Sequence, residues 1–212
     1  LWILLALRSW TCGNDLFDGV GYIGYIPYFL HFKSYSFKEV LASTDEYERG
    51  YNTLNWLIVN LSENPQIFLA IIAAIELSLI GYTLYRHSPN IIFSWIIFAC
   101  LGLYVFSFSG LRQALGISLC FFAFNFINYR KPYIFIFLVL LASTMHTSAY
   151  LFLPSLLTRN LKIKKNKAVL YLMMILAVIP FIMTIIQYGS MFVYGKEKYV
   201  SDAGGAYNLF IL

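Results

Sequence analysis

Charge is what this sequence has least of. Asp, Glu, Lys and Arg make up 12% of its 212 residues, about half of the ~25% found in an ordinary soluble domain. That shortage excludes a conventional water-soluble globule, because 60% of the residues are hydrophobic and 19% aromatic, more than one such core can bury. Cysteine is scarce as well. Cys12, Cys100 and Cys120 are too few and too scattered for a disulfide framework, and the latter two lie in apolar runs as small packing residues. Soluble-enzyme motifs are missing: there is no P-loop, no GxGxxG after a strand, no GxSxG and no HExxH. The sequence also holds no internal repeat and no low-complexity tract. His31, His87 and His146 stand alone, with no second histidine at metal-ligand spacing, so neither a metal nor a cofactor is expected. The net charge of +5 does not point to nucleic acid, since the basic residues sit in short gaps rather than along a polar face.

What is present is a series of long apolar runs. A spanning helix takes ~20 mostly apolar residues, and 66–85, 90–108, 112–128 and 168–188 qualify. The run 133–157 is interrupted by Ser143, Thr144, His146, Thr147 and Ser148. The fold class expected is therefore all-α, a polytopic transmembrane helical bundle across 1–212. The apolar stretches at Leu1–Leu7 and Leu209–Leu212 read as cut membrane segments of a longer chain, with 209–212 starting a further helix. The opening stretch lacks the basic leader and cleavage site of a signal peptide.

Lys and Arg in short loops favour the cytoplasmic side. Arg86, Arg130 and Lys131 mark two such loops, and Arg159, Lys162, Lys164, Lys165 and Lys167 form the strongest cluster. That cluster falls outside if 133–157 crosses once. It returns inside if the run breaks near His146 into helices 133–145 and 147–158, with Thr147 or Ser148 capping the second. Eight basic residues and no acid then lie inside, against seven basic and nine acidic outside. Residues 8–64 become an extracytoplasmic loop. Within it Tyr47, Tyr51, Leu54, Ile58 and Leu61 recur at helical spacing and predict an interfacial helix, and the tyrosine-rich Gly21–Phe32 predicts an interfacial or re-entrant element.

Arg112 opens a spanning segment, where an arginine needs water or an anion. Gly116, Cys120 and Ala123 share its face, which suits close helix packing, and Ser107, Ser109 and Gln113 make its surroundings polar. A guanidinium there suits bidentate phosphate binding. His146 lies on the same side of the membrane. Arg8, Asp15 and Asp18 cluster around Gly13 in the outer loop. Glu76 falls near the middle of its span, as either a functional group or a protonated glutamate bonded to a neighbouring helix.

Four short elements in order resemble the EpsG family of Wzy-like exopolysaccharide polymerases: Arg8 with Gly13-Asn14-Asp15, Glu48-Arg49-Gly50-Tyr51, Phe108-Ser109-Gly110-Leu111-Arg112-Gln113-Ala114, and His146-Thr147-Ser148-Ala149. One departure is the tyrosine that usually follows the early Asp closely, here delayed to Tyr22. The resemblance implies polymerisation of lipid-linked oligosaccharide repeat units at the outer face of the bacterial cytoplasmic membrane. In this chemistry undecaprenyl pyrophosphate is the leaving group and no nucleotide sugar takes part. It implies Arg112, His146, Asp15 and Glu48 as catalytic candidates, and Arg8, Gln113, Ser148 and Tyr51 as substrate-binding ones. The implied partners are the lipid-linked substrate, membrane lipids and other polysaccharide-assembly proteins, with no nucleic acid. A flippase or transporter of the same lipid-linked unit, a membrane ligase or acyltransferase, and a non-enzymatic assembly subunit are the rival readings.

Overall fold

In the computed structural model, residues 1–9, 18–19, 22–43, 47–127 and 132–160 are described. Among them the chain is helical, apart from a two-residue antiparallel pairing of β1 (Asp18–Gly19) with β2 (Tyr22–Ile23). The expectations for Cys12, Gly13, Asp15, Arg130, Lys131, the lysines of 162–167, the span 168–188 and the segment 209–212 fall outside the described residues.

A short α1 (Trp2–Ala6) is followed by α2 (Tyr25–His31) and α3 (Phe37–Ala42). The start of α3 is fixed by a reciprocal cap: the Glu39 N–H donates to the Ser36 hydroxyl, and the Ser36 N–H to the Glu39 carboxylate. Next comes α4 (Arg49–Leu61), whose buried side chains are Tyr51, Asn52, Asn55, Ile58 and Val59. The predicted apolar stripe is rotated by this arrangement, and its last member, Leu61, is 80% exposed. Tyr25, Ile26, Tyr28 and Phe29 of α2 are buried in a core shared with α4, α5 and α8, with Phe29 stacked on Phe68 at 4.4 Å between ring centroids.

The central helix is α5 (Pro65–His87). Asn64 caps it by accepting from the Gln66 N–H at 2.8 Å, Pro65 occupies the first turn, and the Arg86 cation lies in the last turn, where positive charge is stabilised by the helix dipole. Its 23 residues reach ~34 Å, against a hydrocarbon core of ~30 Å. Among the described residues it is the one helix long and apolar enough to cross a membrane, with a mean hydropathy of 2.2.

The predicted span 90–108 is divided. Helix α6 (Ile91–Cys100) stops before Gly102, whose φ of 76° lies in the left-handed region that glycine enters without steric cost. The four-residue α7 (Leu103–Phe106) then resumes the run. Helix α8 (Leu111–Ala123) ends in a tight turn, Phe124–Phe126, short of the expected residue 128. Helix α9 (Pro132–Met145) packs on α8, and the chain breaks at His146. A 3₁₀ helix, Thr147–Asn160, follows. The rings of Phe135 and Phe152 lie 5.8 Å apart, whereas a straight helix through both would separate them by roughly 25 Å. The chain therefore doubles back at His146.

Helices α5 and α8 carry the packing. One apolar cluster joins α2, α4, the start of α5 and the start of α8. A second joins α1, α5, α6 and α7, and a third joins the end of α8 to α9 and the 3₁₀ helix. The outward faces are also apolar: Ile92, Phe93, Phe137 and Leu151 are at least 60% exposed. An apolar exterior of this kind is what contact with lipid or another protein would cover.

Candidate functional site

Three chain segments meet where α8 begins. Glu48 precedes α4, Arg112 lies in the first turn of α8, and His146 occupies the break after α9. The approach of α4 to α9 depends on Gly50, because a Cβ there would sit 2.6 Å from the Thr144 Cβ and 2.7 Å from the Thr144 carbonyl oxygen. Glycine is the residue that lets the two backbones come this close. Gly116 of α8 likewise faces His146, whose Cβ would lie 3.4 Å from an added Cβ.

Glu48 ties the segments together. Its Oε2 accepts from Arg112 Nη1 at 2.8 Å, and its Oε1 accepts from the Thr147 N–H at 2.8 Å and the Thr147 hydroxyl at 3.0 Å. The sequence places a Thr147 or Ser148 cap on the second helix. Instead, a carboxylate 99 residues away in sequence serves its first N–H. His146 Nδ1 is 3.3 Å from Glu48 Oε1, within charge contact but off the axis of a hydrogen bond. On the other side of the ring, Gln113 Nε2 is 3.0 Å from His146 Nε2. With the Gln113 amide donating, Nε2 is an acceptor and the ring proton sits on Nδ1, facing the carboxylate.

Arg112 is held by more than Glu48. Its guanidinium lies over the Tyr47 ring, 3.7 Å from the centroid, a partly desolvated cation–π contact worth ~1–2 kcal/mol. The Tyr25 hydroxyl also hydrogen-bonds it. Arg112 Nε is buried without a hydrogen-bond partner, so the fork holds an unused donor.

The electrostatics divide the labour. Burial alone would raise the Glu48 carboxyl. Hydrogen bonds from Thr147 and from its own N–H, with the Arg112 charge, outweigh that and hold it below the ordinary carboxylate range. Glu48 is therefore an anion and a poor proton acceptor at neutral pH. His146 is shifted below its ordinary value, first by burial and further by Arg112, against the opposing charge of Glu48. It is neutral at pH 7, the form a general base requires.

Not every predicted site residue joins this cluster in the same way. Ser148, with Gln113 and His146, lines an adjoining cavity of about 290 Å³. Tyr51 is fully buried, ringed by Tyr25 and Tyr47, and burial pushes its hydroxyl well above the usual tyrosine range. It is a wall of the site rather than a contact surface. Arg8 enters a second polar group. It donates to the Ser107 carbonyl at 2.8 Å and lies over the Phe108 ring, while the Ser107 hydroxyl hydrogen-bonds Glu76. Glu76 thus takes the helix-to-helix bond that its position in mid-span allowed. Asp15 is outside the described residues. Sequence reasoning missed Tyr47 and Tyr25 as the cradle of Arg112, and the signal for the first was an aromatic directly before Glu48.

The family comparison agrees with this geometry in extent. No curated protein and no solved structure matches the chain. The EpsG family model matches residues 1–209, which takes in all three segments of the site, and the chain belongs to the EpsG family.

Proposed function

We propose that this protein joins lipid-linked oligosaccharide repeat units into a surface or exopolysaccharide at the outer face of the bacterial cytoplasmic membrane. This is the specific form of the polysaccharide-polymerase-type function to which the EpsG family points. The observation that carries it is the conjunction of an arginine fork and a neutral histidine around one carboxylate. In the reaction, a hydroxyl oxygen of the acceptor sugar bonds to the anomeric carbon of the donor. The bond from that carbon to the phosphate oxygen breaks, and its electrons pass to the lipid diphosphate. Arg112 stabilises the charge where it develops, and the hydroxyl proton goes to His146 Nε2, displacing the exposed Gln113 amide that occupies it. Glu48 keeps the imidazole turned and the guanidinium in place.

His146→Gln tests the reading in cells. Surface polysaccharide should collapse from long chains to single repeat units, because donor units still arrive but are not joined; loss of every surface unit would indicate a flippase instead. Wild-type chain length should also persist as external pH falls through ~6.5, the ordinary histidine value, and fail only at lower pH, when the depressed imidazole protonates. Chain growth that stays flat far below pH ~6.5, or is normal in His146→Gln, removes the histidine from the mechanism.

The reading also assigns a multi-pass topology, with the break at His146 facing outward. A cysteine at the exposed Ser148, in a variant lacking the three native cysteines, should react with an impermeant thiol reagent added to intact cells. Reaction only after permeabilisation would overturn the sidedness.

A further inference from the structure

His146 Nε2 presents the lone pair that an incoming hydroxyl needs, since the other ring nitrogen carries the proton and lies 3.3 Å from Glu48 Oε1. In the structure that lone pair is already taken. Gln113 Nε2 stands 3.0 Å from it, and with the amide donating, the base is capped. A glycine brings the two side chains together. Gln113 and Gly116 lie three positions apart on one face of α8. A Cβ at Gly116 would sit 3.4 Å from the His146 Cβ and 3.7 Å from the Ala142 carbonyl oxygen. The bare helix surface at Gly116 therefore seats the break after α9 within reach of the amide.

The cap lies where water has access. The cavity of about 290 Å³ that Gln113, His146 and Ser148 line is half open, and Gln113, Thr147 and Ser148 are exposed. At ~30 Å³ per liquid water the cavity has room for several. A water seated on Nε2 would compete with the acceptor sugar. Its oxygen would bond to the anomeric carbon of the donor, and its proton would pass to Nε2. The bond from that carbon to the phosphate oxygen would break, with the electron pair leaving on the lipid diphosphate. The products would be a free reducing oligosaccharide and lipid diphosphate, with no chain growth.

We propose that Gln113 is a positioning residue that caps His146 against water, so that the donor goes to chain growth rather than to hydrolysis. This rests on the reading of the site as one that transfers a glycosyl unit from a lipid diphosphate. The amide holds the imidazole as the Nδ1–H tautomer before substrate arrives. Its bond is neutral, and such a bond shifts an equilibrium by a factor of about 2–10. A water brings no other contact with which to displace it. An acceptor sugar held beside His146 delivers its hydroxyl with the advantage of an intramolecular group, and the amide gives way. The cap opens for the acceptor and stays closed to solvent, which guards a reactive donor from side reaction.

The test uses the full chain in lipid nanodiscs with lipid-linked repeat units extracted from cells that lack it, and measures free oligosaccharide against polymer. Gln113→Met keeps the length of the side chain and removes the amide, while Gln113→Ala removes both. Gln113 is exposed, so both variants should fold. Each should raise release of free oligosaccharide roughly 2–10-fold over wild type and shorten the polymer to match. Adding His146→Gln to either should abolish the release. Unchanged release in Gln113→Met would end the proposal. A rise confined to Gln113→Ala would end it too, by making the side chain a plug rather than a cap. So would a rise that survives His146→Gln, since the water would then be using another base. These failures leave polymer synthesis by the wild type intact. A wild type that consumes no donor would instead overturn the reading of the site, and this inference with it.

Discussion

Arg112→Lys should leave the protein in the membrane at its normal level and cut chain growth by about 10²–10³, the usual effect of removing one donor from a developing anion. Lysine keeps the positive charge, so a loss of this size isolates the fork. The guanidinium gives one nitrogen to Glu48 at 2.8 Å, lies flat over Tyr47 and keeps Nε unpartnered. A single ammonium is a point charge that stacks poorly and has no planar array of donors. Taken up by Glu48, it has little left for a diphosphate. The measurement is the ladder of surface polysaccharide on a gel, beside an immunoblot of the membrane fraction. Normal-length polymer from Arg112→Lys would take this residue out of the chemistry.

Glu48→Gln should lose both polymer and stability. Both carboxylate oxygens of Glu48 accept, one from Arg112 and the other from two donors of Thr147. An amide has one oxygen and one NH₂ group, so whichever way it turns, a donor faces a donor. Hydrogen bonds to charged groups are worth ~1.5–3 kcal/mol, and for a chain of this size 1 kcal/mol shifts Tm by ~2–4 °C. A fall of roughly 4–10 °C in detergent follows for one such bond and its neighbours. The sign of the titration change can be stated too. Glu48 raises the His146 imidazole, so its removal lowers that group further, and any residual activity should persist to more acid pH than in the wild type. A variant with unchanged Tm and full-length polymer would show that the carboxylate holds nothing together.

The parts of the fold that were legible in the sequence are those governed by local rules. Helix α5 is announced by the long apolar run 66–85, in which Glu76 is the one charge, and by Arg86 after it. The reversal at His146 came from charge, since the basic residues of 159–167 had to return to the side of Arg86. The division of 90–108 was hidden because Gly102 in an apolar run reads equally as a packed helix position. The rotation of the buried face of α4 was hidden for a related reason: Asn52 and Asn55 are polar by type but buried by tertiary contacts, Asn52 through the Tyr28 hydroxyl and the Tyr47 carbonyl.

The site divides in the same way. Arg112, Gln113, His146 and Glu48 were each visible as unusual residues, and sidedness put them on one face. Their joining was not visible, because the contacts span 64 and 99 positions and no periodicity connects such distances. Arg8 shows the converse limit. In the fold its partners include a carbonyl and an aromatic ring, and neither can be read from an isolated arginine.

The carboxylate at the head of the 147–160 helix has a consequence for biogenesis. The ribosome makes Glu48 about one hundred residues before its donor at Thr147 exists. Closing so large a loop brings an entropic cost that rises with its length, and the Thr147 donors that offset it are made only after α9. During synthesis, then, Glu48 Oε1 waits without its Thr147 donors even after Arg112 has been made. The centre closes in a late step, once the doubled-back segments on either side of His146 are in place. Truncations ending before residue 147 should therefore leave the segment around Glu48 more open to protease in detergent, while chains ending beyond 160 protect it.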